Sequence, residues 1–227
     1  MIAWLGRYLA HCGIPMLHVD LHGTGDSSGT FEQATLSIWQ QDIQTALGWL
    51  DEKYPASSVT LVALRLGALL TLELPRKNPK INQIILWQPV LNGALHMQQF
   101  LRLLIAGSLN EQADKRLTTR HFSARLEQGE ALEIAGYMLS SQLYQEISKL
   151  KYDVSLSTKQ KIHWFEMVTE EDRPLLPAST NVIKQLQEKG VSVNCTTVMG
   201  PQFWATQEIA DSFELIRQTR EAISRDS

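Results

Sequence analysis

Cysteine is scarce in this sequence: Cys12 and Cys195 are the only two among 227 residues. They stand far apart and match no metal-ligand or redox spacing, which excludes a disulfide scaffold and a cysteine-built metal centre. No metal site and no organic cofactor is predicted. Reduced, buried, structural thiols are expected at both positions, and with them a cytoplasmic location. An excess of one charge is lacking as well. Lys and Arg number 21 against 24 Asp and Glu, a net charge of −3. With no basic run and no interleaving of basic and aromatic residues, a nucleic-acid groove is excluded. No hydrophobic run approaches the ~20 residues of a membrane span. The apolar opening MIAWLGRYLAHCGIP is broken by Arg7 and His11. It lacks a basic leader and a small-residue cleavage site, so it does not read as a signal peptide.

What is present is an alternation. Short β-like runs trade places with helix-period segments, which predicts a mostly parallel sheet flanked by helices on both faces. Ile2, Leu5 and Leu9, with Trp4 and Tyr8, predict an amphipathic first helix packed on the sheet. Pro15–Asp20 reads as a strand and LHGTGDSSGTF as the loop after it. Ala34–Glu52 reads as a helix, and Ser58–Ala63 as a strand turning sharply at residues 64–67 into a helix, GALLTLELPRK. Ile81–Pro89 is apolar enough for a strand buried on both faces. Residues 92–155 break the rhythm and predict a helical, lid-like insertion, with LEIAGYMLSSQLYQEISKL among its helices. Strands at Lys161–Val168 and Val191–Met199, and helices at Ala178–Lys189 and Thr206–Ser224, complete the core. The expected domain plan is therefore 1–91 with 156–227 as core and 92–155 as cap.

Three pieces fall in a telling order. The loop Asp20-Leu21-His22-Gly23-Thr24-Gly25-Asp26-Ser27-Ser28-Gly29 resembles the D-x-x-G-x-G-x-S loop of α/β-hydrolases, whose glycines permit positive φ. Ala63-Leu64-Arg65-Leu66-Gly67 stands where those enzymes carry the G-x-S-x-G nucleophile elbow. The helical insertion follows the next strand, where the superfamily places its lid. More narrowly, LHVDLHGTGDSSGTF, ALRLGALL, LWQPVLNG with HMQQFLRL, EIAGYMLSSQL and GPQFWATQEI together resemble the type-2 exosortase A system-associated hydrolases. That resemblance implies a bacterial hydrolase of ester or acyl-type bonds, linked to exopolysaccharide or PEP-CTERM protein sorting, with protein partners in such a system. The superfamily begins with strands and an oxyanion loop, whereas Met1 here opens directly onto a helix. A start at an internal methionine is the expectation.

The chemistry of the resemblance is incomplete. Serine hydrolysis needs a nucleophile at the elbow, a histidine to take its proton and an acid to orient that histidine. The elbow offers Arg65, a permanently protonated guanidinium that is neither nucleophile nor base. The loop after the last strand, where the histidine is due, reads Gly200-Pro201-Gln202-Phe203-Trp204, and no histidine follows His163. Asp172, beside Glu170 and Glu171, occupies the acid position. Ser27, Ser28 and His22 share one loop and admit either a substitute Ser/His arrangement or simple turn chemistry. His18 and His163 read as core or sheet-face residues, His96 and His121 as surface or packing residues of the insertion. Arg65 itself has two open roles. One is an internal ion pair with Asp172, Glu171 or Asp20; the other is an anion cradle formed with the Leu66 amide. Trp87, Phe203 and Trp204 either wall an apolar pocket or pack beneath flanking helices. The ligand-binding candidates are thus Arg65, Leu66, His22 and Trp204, for a small anionic or acyl ligand. A non-catalytic binding or scaffold protein with an anion-accepting pocket at Arg65 is the alternative to the hydrolase.

Overall fold

Strands rich in branched apolar residues build the sheet. In the computed structural model, which describes residues 1–55, 57–108, 118–154, 160–205 and 210–225, they are β1 (Val59–Leu64), β2 (Ile81–Trp87), β5 (Lys161–Val168) and β6 (Ser192–Met199). All pair in parallel in the order β1-β2-β5-β6. The chain divides into two compact units, residues 1–18 with 54–91 and 152–227, and residues 19–53 with 92–151.

The first unit is the sheet and its helices. Both faces of β2 and β5 are buried, as their largely apolar runs lead one to expect. Ile85, Trp87, Phe165 and Met167 pack beneath α1 (Ile2–His11) and α9 (Phe213–Arg225), which contribute Leu5, Leu9, Leu215 and Ile216. Ile84, Leu86, Ile162 and Trp164 alternate with them on the opposite face and are equally buried. Tyr152 meets the Trp164 ring edge-on at 5.8 Å between centroids. Helix α8 (Pro177–Glu188) lies against β6. The amphipathic reading of the first helix holds through Leu5 and Leu9, while Trp4 and Tyr8 are exposed on its other side.

The second unit contains α2 (Leu36–Lys53), α5 (Gly93–Ser108), α6 (Thr119–Glu127), the hairpin β3 (Leu132–Ile134) with β4 (Tyr137–Leu139), and α7 (Ser141–Lys149). Leu101, Phe122, Leu126, Ile134, Leu139, Leu143 and Ile147 are its core. Ser140 caps α7 by accepting the Leu143 amide at 3.2 Å.

Several expectations are corrected. Pro15–Asp20 forms no strand: no ladder partner lies along it among the described residues, and a strand exists only through its ladder. His18 is accordingly exposed rather than a sheet residue, whereas His163 is buried in β5. Cys12 is exposed at the end of α1 rather than a core thiol; Cys195 is half-buried in β6. The helix after the elbow is two short ones, α3 (Gly67–Leu70) and α4 (Leu74–Lys77), because Pro75 starts a new helix more readily than it continues one. The stretch LEIAGYML is a hairpin, not a helix. Ala135 and Gly136 adopt φ of 51° and 86°, the paired left-handed residues of a two-residue turn. The terminal helix begins at Phe213; residues 210–212 are not helical, and 206–209 lie outside the described residues.

Candidate functional site

Parallel strands deliver their carboxyl ends to one edge of a sheet, and ligands of open α/β sheets bind there. Arg65 follows β1, Gln88 follows β2, Asp172 lies beyond β5 and Trp204 beyond β6. Two residues separate the last of β1 from the first of α3, and the bend is sharp because Arg65 takes φ of 51°. A non-glycine residue in that region is held there at a cost of order 1–2 kcal/mol. Three backbone bonds hold it: the Arg65 amide donates to the Trp87 carbonyl (3.0 Å), and the Arg65 carbonyl accepts from Val90 (3.0 Å) and Ala68 (3.2 Å). The flanking small residues fit the close approach of strand and helix. A Cβ on Gly67 would lie 3.7 Å from that of Ala63, an ordinary contact.

The guanidinium of Arg65 is half-buried, and burial lowers its pKa from the usual arginine value. Its Nη1 donates to the Gln88 carbonyl at 3.3 Å, and its Cζ stands 5.4 Å from the centre of the Trp204 ring. Among the described residues no carboxylate pairs with it, so the internal ion pair with Asp172 or Glu171 is not formed. Asp172 is exposed at φ 61° in its own turn, without a hydrogen bond or ion pair among the described residues. The Leu66 amide is likewise unbonded among the described residues. Arg65 and Trp204 are therefore brought together, with Leu66 next in the chain, and Asp172 is not joined to them.

The aromatic residues divide. Trp87 is fully buried, its indole Nε1 donating to Thr219 Oγ1 at 2.9 Å, so it is core rather than pocket wall. Phe203 meets Trp87 edge-on at 6.2 Å and Trp204 at 5.0 Å, linking the core to the half-buried Trp204.

His22, Ser27 and Ser28 belong to the second unit, in a loop closed on itself. The Gly23 amide donates to the Ser28 carbonyl and the Ser27 amide to the Thr24 carbonyl, both at 3.0 Å. Asp20 Oδ2 accepts the Asp26 amide at 3.0 Å, and a side chain on Gly25 would run into that carboxylate. The His22 amide donates to Asp42 Oδ2 at 2.8 Å and its carbonyl accepts from Trp39 Nε1 at 3.0 Å, while its ring fills the space a Cβ on Gly29 would need. These are the bonds of a tight turn.

Two residues escaped the sequence reading. Gln88, at φ 44°, donates its amide to the Phe165 carbonyl (2.8 Å) and accepts the Met167 amide on Oε1 (2.7 Å), bracing the strand ends beneath Arg65. Glu166 is buried, accepting from the Leu176 amide at 3.1 Å and the Trp164 indole at 3.4 Å. A lone carboxylate inside the apolar run KIHWFEMV was the available signal. Burial first, and then the Glu166 charge, push the Cys195 thiol up to about 11. At pH 8 its thiolate is then roughly a thousandth of the population. Ellman's reagent at pH 8 is expected to modify Cys12 promptly and Cys195 only as the pH approaches 11. Equal labelling of Cys12→Ser and wild type at pH 8 would contradict this.

Comparisons with known proteins agree with this fold. A family model described as "Serine aminopeptidase, S33" matches residues 1–169. No curated protein sequence matches the chain. Among solved structures, Est1E from Butyrivibrio proteoclasticus with bound ferulic acid superposes with a TM-score of 0.66 at 16% identity, over 99% of this chain and 82% of its own. The α/β hydrolase GrgF from Penicillium sp. sh18 gives 0.63 at 13% identity, over 99% and 84%. A variant of tomato methylketone synthase I complexed with β-ketoheptanoate gives 0.56 at 15% identity, over 98% and 91%. At such identities the likeness is one of fold.

Proposed function

The chain belongs to the serine aminopeptidase S33 family of α/β-hydrolases, and on that premise we propose that it has exchanged serine hydrolysis for recognition of a small carboxylate-bearing acyl ligand at Arg65. One observation carries the reading: the residue at the elbow is a half-buried guanidinium with no carboxylate partner among the described residues. A desolvated cation is stabilised by any anion that reaches it, and a carboxylate suits the planar fork of arginine. The unbonded Leu66 amide adds a donor, and the Trp204 ring supplies apolar contact for the acyl part. Two of the solved structures above hold carboxylic acids, ferulate in one and a β-keto acid in the other, which supports the same ligand class. Asp172 keeps the position of the acid without a histidine to orient. The resemblance of five sequence runs to type-2 exosortase A system-associated hydrolases supports a place in the cytoplasm beside a bacterial polysaccharide-assembly or protein-sorting machine. Its proteins would be the partners of this pocket's owner.

The second reading is a hydrolase of ester or acyl-type bonds that works without the elbow, through Ser27 or Ser28 with His22. The esterase kinship of the fold favours it. Titration with ferulate and hexanoate, read by calorimetry, together with a fluorophosphonate probe, separates the two. Wild type is expected to bind a carboxylate and Arg65→Ala to bind it about 10- to 100-fold more weakly, the worth of one charged hydrogen bond. No serine is expected to be labelled. Equal affinity in wild type and Arg65→Ala would end the first reading. Stoichiometric labelling lost in Ser27→Ala or Ser28→Ala would establish the second.

A further inference from the structure

The second unit carries a cleft of its own, about 580 Å³ in volume, lined from α5, α6 and α7. We propose that this cleft binds a small polyhydroxylated anion, a sugar acid or a sugar phosphate. Its volume lies within the roughly 300–1,000 Å³ of small-molecule sites, and nine of its ten lining residues, all but Ala94, carry a side chain able to hydrogen-bond. Exposed Arg120 and Lys149 line it together with Gln98, Ser123, Tyr144 and Ser148. Neither cation makes an ion pair or hydrogen bond among the described residues.

Two of the lining residues carry hydroxyls that the described residues leave unpaired. The Ser148 Oγ is sealed from solvent and has no hydrogen-bond partner, although buried hydroxyls are almost always satisfied. Tyr144 is only 7% exposed, so its ring is fixed in the unit's core while its edge borders the cleft. Its hydroxyl, too, is without a partner among the described residues. An aromatic wall with hydroxyl and carboxamide groups around it matches the alternating C–H and O–H surface of a polyol. Charge then selects among polyols. Arg120 and Lys149 outnumber the one lining carboxylate, Glu127, which favours an anionic ligand over a neutral one. Glu127 remains to accept from ligand hydroxyls.

The experiment is calorimetric titration of the full chain with sodium glucuronate and glucose 6-phosphate, with glucose and inorganic phosphate as controls. At least one of the two sugar anions is expected to bind with a dissociation constant of about 1 mM or tighter, and which one binds identifies the anionic group. Glucose and phosphate alone are each expected to bind at least tenfold more weakly. The Arg120→Ala/Lys149→Ala double variant is expected to weaken binding by about tenfold or more, and Tyr144→Phe by a smaller factor. Both cations are exposed, so the double variant keeps its fold. Arg65→Ala is expected to leave these affinities unchanged, which separates this cleft from the elbow. Absence of binding by both sugar anions, unchanged affinity in the double variant, or phosphate alone binding as tightly as the sugar phosphate would each overturn the proposal.

Discussion

Trp87→Ala is expected to lower the unfolding free energy by about 3–5 kcal/mol, the range for truncating a large buried aromatic residue. The indole is fully buried at the end of β2, edge-on to Phe203, and its Nε1 donates to the hydroxyl of Thr219, itself fully buried. Truncation removes the packing, opens a cavity and leaves the Thr219 hydroxyl without its donor. Against a total stability of about 5–15 kcal/mol for an ordinary domain, that loss is a large fraction of the whole. Urea unfolding followed by circular dichroism reads it as a lower midpoint at unchanged slope. Trp87→Phe keeps most of the ring packing, and Thr219→Val removes only the acceptor, so each is expected to cost about 1–3 kcal/mol. The double variant is expected to cost less than their sum, because no unpaired polar group is left buried. Simple additivity would show that the hydrogen bond is not what couples the two side chains. The elbow feels this residue too, since the Trp87 carbonyl holds the Arg65 amide.

The sheet was legible because burial on both faces leaves a mostly apolar run, ten residues of the fifteen in INQIILW and KIHWFEMV together. The elbow was legible for a different reason. A short bend from strand to helix needs small neighbours and a strained residue, and Ala63, Arg65 and Gly67 supply both. Pro15–Asp20 has the composition of a strand yet forms none, since pairing depends on what lies alongside and a single run does not record it. The hairpin at residues 132–139 was hidden by length. Three-residue strands show too little alternation to distinguish from one turn of helix, and Ala135 at φ 51° is a position where glycine or asparagine would have been the usual signal.

The site was half legible. Residue type alone announces that Arg65 cannot attack a carbonyl, and position in the chain places Asp172 and Trp204 at the same sheet edge. That Arg65 meets the Trp204 ring and, among the described residues, no acid is a matter of side-chain geometry, which spacing does not encode. Gln88 was invisible because its part is played by a left-handed backbone and by bonds to residues 165 and 167, about 80 positions away in the chain. The cleft among α5, α6 and α7 was invisible for a related reason. Its lining comes from three helices, and each contributes the ordinary polar residues of a solvated face.

Glycine→alanine changes at two positions of the second unit are expected to act with opposite signs. Gly93 is buried at the first position of α5, its amide donating to the Leu150 carbonyl at 2.9 Å, beside the bridge between Asn92 and Lys151. A Cβ there would run directly into the Ile147 carbonyl and crowd that of Leu150. Both obstacles are backbone, so no side-chain rotation relieves the clash and α5 must move away from α7. Overpacking of this kind costs about 1–3 kcal/mol, and more where the obstacle is rigid. Gly48 lies on the exposed side of α2 with nothing near its missing Cβ. Gly48→Ala is expected to stabilise by about 0.5–1 kcal/mol through helix propensity alone. Because α5 carries Gln98 and α7 carries Tyr144 and Ser148, Gly93→Ala is also expected to abolish sugar-anion binding, and Gly48→Ala to preserve it. Matching urea midpoints for the two variants would mean that the close approach of α5 to the end of α7 does not exist in solution.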